Sequence, residues 1–165
     1  MNRNVKLEQA VERARREILK KHKLVRKHPY YALAPKVKTA SKKSLHHGIR
    51  HWDYPTVVVA CKDDNKTASG YSCEVKENSF NPILRKYLEG KLGAKLGGKS
   101  KIKGTGNIVG HCAENHAANN LMRKDKNFGD KENILKIEFS KALITRTGET
   151  IDYCNNCTTA YNVKN

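Results

Sequence analysis

The chain is short of several things, and each shortage removes a class of protein. No stretch approaches the ~18 consecutive apolar residues of a membrane-spanning helix, and the start "MNRNVKLEQAVERARREILKKH" is too charged for a secretory signal. The expectation is a chain soluble as written, with no membrane partner. Acid is scarce: 16 Asp and Glu stand against 33 Lys and Arg, for a formal charge of +17 and a pI near 9.8. Such a balance points to a polyanionic partner such as nucleic acid. Apolar residues make up only 38% of 165 positions, enough for one modest core in one domain. Five cysteines, an odd number with a single CxxC, argue against a disulfide framework and for a reduced or metal-bound state.

The charge is unevenly spread. Through residue 50 there are fifteen Lys or Arg and three Glu, so about +12 of the +17 lies there. Residues 5 to 28 carry Val5, Leu7, Val11, Ala14, Ile18 and Val25 near one face of a helix that Pro29 ends. The segment "PYYALAPKVKTASKKSLHHG" continues as an irregular basic arm. The division is therefore a basic helix and arm, 1–50, and a domain, 51–165.

Within 51–165 the pattern alternates between strand and helix. The β-branched run Thr56 to Cys61 and the stretch "SGYSCEV" read as an antiparallel pair, with Cys61 and Cys73 as small buried hydrophobes. Asn81 and Pro82 open a helix that dissolves into the Gly- and Lys-rich "LGGKSKIKGTGN", a loop read as a plain connection, with a phosphate clamp of backbone N–H groups and lysines as the alternative. A helix over about 111–124, one or two strands in "ILKIEFSKALITRTGETID" with a turn near Gly148, and a short helix from Cys154 complete the order.

Two stretches carry chemistry. "IVGHCAENHAANN" holds Cys112, Glu114 and two histidines, and "DYCNNC" holds Cys154 and Cys157. If the two helix starts face each other, their positive dipole ends favour thiolates, soft ligands that suit zinc. Three protein ligands leave a fourth tetrahedral position for a water whose pKa zinc brings to about 7. Glu114, two positions after the first ligand, can then reach that water as general acid and base without ligating the metal. "CAE" with "CNNC" meets the zinc deaminase signature in register, cysteine replacing its first histidine. His111 stands in the wrong register to ligate and is read as a substrate-side group. The rival is His116, an i, i+4 neighbour of Cys112, which would close a structural Cys3His site.

"GHCAENHAANNLM" followed by "TGETIDYCNNCTTAY" resembles the YwqJ-like branch of the cytidine deaminase superfamily, deaminase domains of bacterial polymorphic toxins, over roughly residues 55 to 160. The resemblance implies an α/β fold: a three-layer α/β/α sandwich with a mixed central sheet, shortened at the C-terminus, beside the basic N-terminal helix. It implies zinc on Cys112, Cys154 and Cys157, Glu114 as proton shuttle, and the backbone of Ala113 against the base. Asn78 and Asn81 are its candidates for touching sugar or base. Tyr153 stands where the family usually has proline.

The basic arm selects polynucleotide over free nucleoside, because phosphates must be drawn in and the target base lifted from its stack. His111, Trp52, Tyr54 and Tyr71 are candidate stacking faces. The expected activity is hydrolytic deamination of cytosine, with single-stranded DNA ahead of RNA. The expected setting is a secreted effector domain acting in the cytoplasm of a target bacterium, as a monomer, with an immunity protein as partner. Two readings stand beside it: a free cytidine deaminase, and a non-catalytic zinc module that holds nucleic acid.

Overall fold

The computed structural model describes residues 3–26, 56–62, 66–103, 107–125, 128, 131–144 and 149–165. The arm over 27–50, Trp52, Tyr54 and the turn near Gly148 lie outside the described residues. In chain order the elements are α1 (Arg3–Arg26), β1 (Thr56–Cys61), β2 (Thr67–Tyr71), a 3-10 turn (Glu77–Ser79), α2 (Pro82–Leu92), α3 (Ala113–Lys124), α4 (Lys131–Ile134), β3 (Glu138–Phe139), β4 (Ala142–Ile144), β5 (Thr150–Ile151) and α5 (Asn155–Tyr161).

The sheet is built around β1, whose apolar run is buried from Val57 to Cys61. Such a run, buried along its whole length, needs cover on both faces, and it has it. Val58 and Ala60 join the main core with Leu84, Leu88, Ala117, Leu121 and Ile134, whereas Val57 and Leu143 meet Val11 of α1. The split follows the two-residue period of a strand.

All the strand pairs among the described residues are antiparallel: β1 with β2, β3 and β4, and β4 with β5. This corrects the mixed sheet expected from the sequence. Both β2 and β3 run opposite to β1 and hence parallel to each other, but β1 sits between them. The crossover through α3 thus joins parallel strands that share no hydrogen bond.

β3 and β4 are one strand interrupted by a bulge. Ala60 pairs with Phe139, while Val57 pairs with Leu143, so the β3–β4 side carries one extra residue. Ser140 holds the interruption together. Its hydroxyl accepts from the Val59 N–H at 3.0 Å, its own N–H donates to the Val59 carbonyl at 2.9 Å, and its hydroxyl donates to Lys141 O at 3.0 Å.

Gly70 fixes where α3 lies. A Cβ built there would stand 2.0 Å from the Ala117 nitrogen and 2.7 Å from the Ala113 carbonyl oxygen, so only glycine lets the helix rest on β2. That contact involves the first turn of α3, and it carries the site residues at that end.

Candidate metal centre

Cys112 is the N-cap of α3, with φ −66° and ψ 146°, and Cys154 is the N-cap of α5, with φ −74° and ψ 161°. Their main-chain carbonyls accept the first helical bonds, from Asn115 at 3.0 Å and from Cys157 at 2.9 Å. The sulfurs are left to face each other between two positive helix ends. Cys112 Sγ and Cys154 Sγ are 3.3 Å apart, Cys154 Sγ and Cys157 Sγ 3.6 Å, and all three sulfurs lie within 4.8 Å of one another. Disulfide bonding requires about 2.05 Å, and all three cysteines are free. Thiolates held at about 2.3 Å from one tetrahedral ion stand roughly 3.8 Å apart, so the spacing fits a metal.

The two helices are tied to each other and to the core. Tyr161 donates to Asn115 Oδ1 at 2.7 Å, both side chains being buried, and so joins α5 to α3. Tyr87 donates to the carbonyl of Ala160. Tyr153 donates to the Phe139 carbonyl at 3.0 Å and locks the approach to the CxxC onto β3. Burial lifts the Tyr153 phenol to about 12.

Three thiols in so small a space cannot all ionise unaided. Hydrogen bonds from Cys112 and then Cys157 hold the Cys154 thiol far below its usual value, while the contact with Cys154 pushes Cys112 up, and contacts with Cys112 and Cys154 push Cys157 up. A divalent cation reverses that ordering, because coordination favours every thiolate at once.

Glu114 is buried at 4% exposure on the first turn of α3. Burial raises its pKa, opposed by its own backbone N–H and by contact with Cys157. With Cys112, Cys154, His111 and the backbone-hugging Ala113 it lines a cavity of about 370 Å³, walled otherwise by Thr56, Ser72, Asn107, Ile108, Ala142, Ile151 and Asp152. Cys157 lies behind this wall at 1% exposure.

Other residues singled out in the sequence lie elsewhere. His116 is turned from the sulfurs: its Nε2 is 3.1 Å from the Cys73 carbonyl oxygen and 3.4 Å from Cys73 Sγ, and its ring meets Phe80 edge-on. The group of cysteines that could hold a metal does not include it. Cys61 is buried, but Cys73 is exposed. It lies past the end of β2, where its N–H bonds the His111 carbonyl at 3.2 Å and not a strand. Asn81 caps α2, accepting from Ile83 and Leu84, and its N–H donates to Asn119 Oδ1 at 2.8 Å. Asn78 is exposed in the 3-10 turn. Tyr71, 38% exposed at the end of β2, stands outside the cavity wall, as do both asparagines.

Four polar cavity residues were not found from sequence: Thr56, Ser72, Asn107 and Asp152. Asp152, two positions before Cys154, could have been found by its nearness to the CxxC; the others are brought in by the fold. Thr56 and Ser72 meet across the strand ends, the Thr56 N–H donating to Ser72 Oγ at 2.8 Å. Compared with family models, curated proteins and solved structures, the chain matches none.

Proposed function

We propose that the chain is a zinc-dependent hydrolytic deaminase of cytosine in nucleic acid, with the sandwich fold of the cytidine deaminase superfamily, used as the toxin domain of a bacterial polymorphic toxin. The observation that carries this reading is the convergence of three sulfurs, two of them on the wall of one cavity, with a buried carboxylate, Glu114, on that same wall. A closed structural site has no use for that carboxylate or for the cavity. Helices on both faces of the sheet agree with the sandwich.

Cys112, Cys154 and Cys157 would hold the zinc, which when bound supplies the Lewis acidity that makes water a nucleophile near neutral pH. Glu114 carries the protons. It accepts one from the attacking water, delivers one to the pyrimidine ring nitrogen, and assists departure of the amino group as ammonia, so that cytosine and water give uracil and ammonia. Buried next to Cys157, the carboxylate is held in place for each transfer. Ala113 and His111 line the space for the base, and the cavity volume suits one nucleoside.

The net charge of +17 favours a polymer over a free nucleoside. The protein, with and without chelation of zinc, is incubated with cytosine-containing DNA and RNA oligonucleotides and with free cytidine, and conversion to uracil is read by sequencing or chromatography. Zinc-dependent conversion in an oligonucleotide is expected. Conversion of free cytidine alone points to a nucleoside enzyme, and no conversion of any substrate points to a binding module.

A further inference from the structure

One charged segment takes no part in the chemistry above. Between Glu89 and Glu114 the chain carries five lysines and no acid. The sequence suggested a connecting loop, but its described residues form a hairpin. The Gly97 N–H donates to Val109 O at 3.0 Å, the Val109 N–H to Gly98 O at 2.9 Å, and the Ser100 N–H to Asn107 O at 3.1 Å. Its underside is apolar and anchored: Val109 is fully buried, and Leu96 and Ile102 pack on the main core. Gly110, at φ +91°, lets the ribbon pass into α3, since a Cβ there would meet Leu96 and Val75 at 2.6 Å. Lys99, Lys101 and Lys103 are all exposed; Lys99 is held by the hairpin pairing, and Lys101 by its N–H, which donates to the Leu92 carbonyl at 3.0 Å.

The hairpin is also one rim of the cavity. Ile108 and Asn107 line it, and Lys99 is bridged to Ile108. The bonds on either side make this a non-hydrogen-bonded antiparallel pair, in which facing side chains are close and share a face. Lys99 thus stands at the mouth beside Ile108. The cavity's acidic lining residue outside the buried Glu114 is Asp152, and Lys141 answers it at 2.9 Å. A cavity of about 370 Å³ takes one nucleoside, so the nucleotides flanking the target must run outside it.

We infer that the described arms of the hairpin, 97–103 and 107–109, are the phosphate-gripping rim of the site, where Lys99, Lys101 and Lys103 hold the backbone of single-stranded DNA flanking the base in the cavity. The inference rests on the nucleic-acid reading of the site, but its test does not need catalysis. Binding of a short single-stranded oligodeoxynucleotide with one cytosine is measured between about 50 and 200 mM salt. The full chain is compared with K99A, with K99A/K101A/K103A and with R13A/R15A/K20A, which removes three exposed charges from α1 on the other face of the sheet. Zinc content and thermal midpoint verify that each variant is folded.

Each lost phosphate contact on a single strand lowers the log–log salt slope by about 0.7. The triple hairpin variant is expected to lose about 2 from the slope, K99A about 0.7, and the α1 variant less than half the loss of the hairpin triple. An unchanged slope in the hairpin triple, or an equal loss from the α1 variant, overturns the inference. If the slope falls as expected while no cytosine is converted, the rim stands and the deaminase reading fails; if cytosine is converted while the slope is unchanged, the deaminase reading stands and the rim fails.

Discussion

The two ends of α3 handle buried charge in opposite ways. At the C-terminal end Asp125, 4% exposed, is answered by Lys66 at 3.3 Å and Lys62 at 3.5 Å, and Lys62 also lies 4.6 Å over the Phe128 ring. At the N-terminal end Glu114, equally buried, has no lysine or arginine bridged to it among the described ion pairs. It faces sulfurs and a cavity instead. A buried carboxylate in a structural role is normally matched by a cation, and one without such a match beside three thiols and open space is what the proposed proton shuttle needs.

That contrast can be broken at several points. Cys154→Ala should have the largest effect, taking zinc content from about one per chain to almost none and abolishing conversion, as elemental analysis and the oligonucleotide assay would report. Glu114→Gln should cut conversion by about two to four orders of magnitude while zinc content and thermal midpoint hold. If Glu114→Gln lost zinc or melted early, the carboxylate would be structural like Asp125. Gly70→Ala drives a methyl into backbone atoms of α3 that cannot yield locally, and should cost about 3 kcal/mol in urea unfolding. Tyr161→Phe leaves a buried Asn115 oxygen without its donor, for about 1–3 kcal/mol by the same measurement. Asp125→Asn should cost about 1–3 kcal/mol by the same measurement, because it leaves the largely buried Lys62 without its counter-charge, while the half-exposed Lys66 adds little.

The sequence made the site more legible than the scaffold. Cys112, Glu114, Cys154 and Cys157 could be grouped because metal ligands need fixed residue types at fixed spacing, and a helix N-cap fixes the direction of a side chain. The capping of α2 by Asn81 was legible for the same local reason, and that capping occupies the side chain otherwise assigned to substrate. What depended on tertiary pairing was not readable. Nothing near Ser140 announces a bulge, since a lone serine in an apolar stretch reads as an ordinary strand position. The insertion of β1 between β2 and β3, which makes the paired strands antiparallel, is a property of topology. His116 showed the limit of helical spacing: Cys112 precedes the helix proper, and the ring turns to Cys73 instead.

The lysine hairpin teaches the same lesson from the other side. Glycine and lysine alternation suggested a connection, and the buried Val109 and partly buried Leu96 and Ile102 that give it shape are too far apart in sequence to show a strand period. Its closeness to the cysteine cluster comes from Ile108 and Asn107, a few residues before Cys112 in the chain.

Zinc-edge X-ray absorption on the purified protein tests the central claim most directly. Three sulfur scatterers at about 2.3 Å and one oxygen or nitrogen neighbour, the latter persisting in His116→Ala, would bear out an open three-cysteine site. Four sulfurs, a light neighbour that disappears with His116→Ala, or a protein that retains no zinc would contradict it.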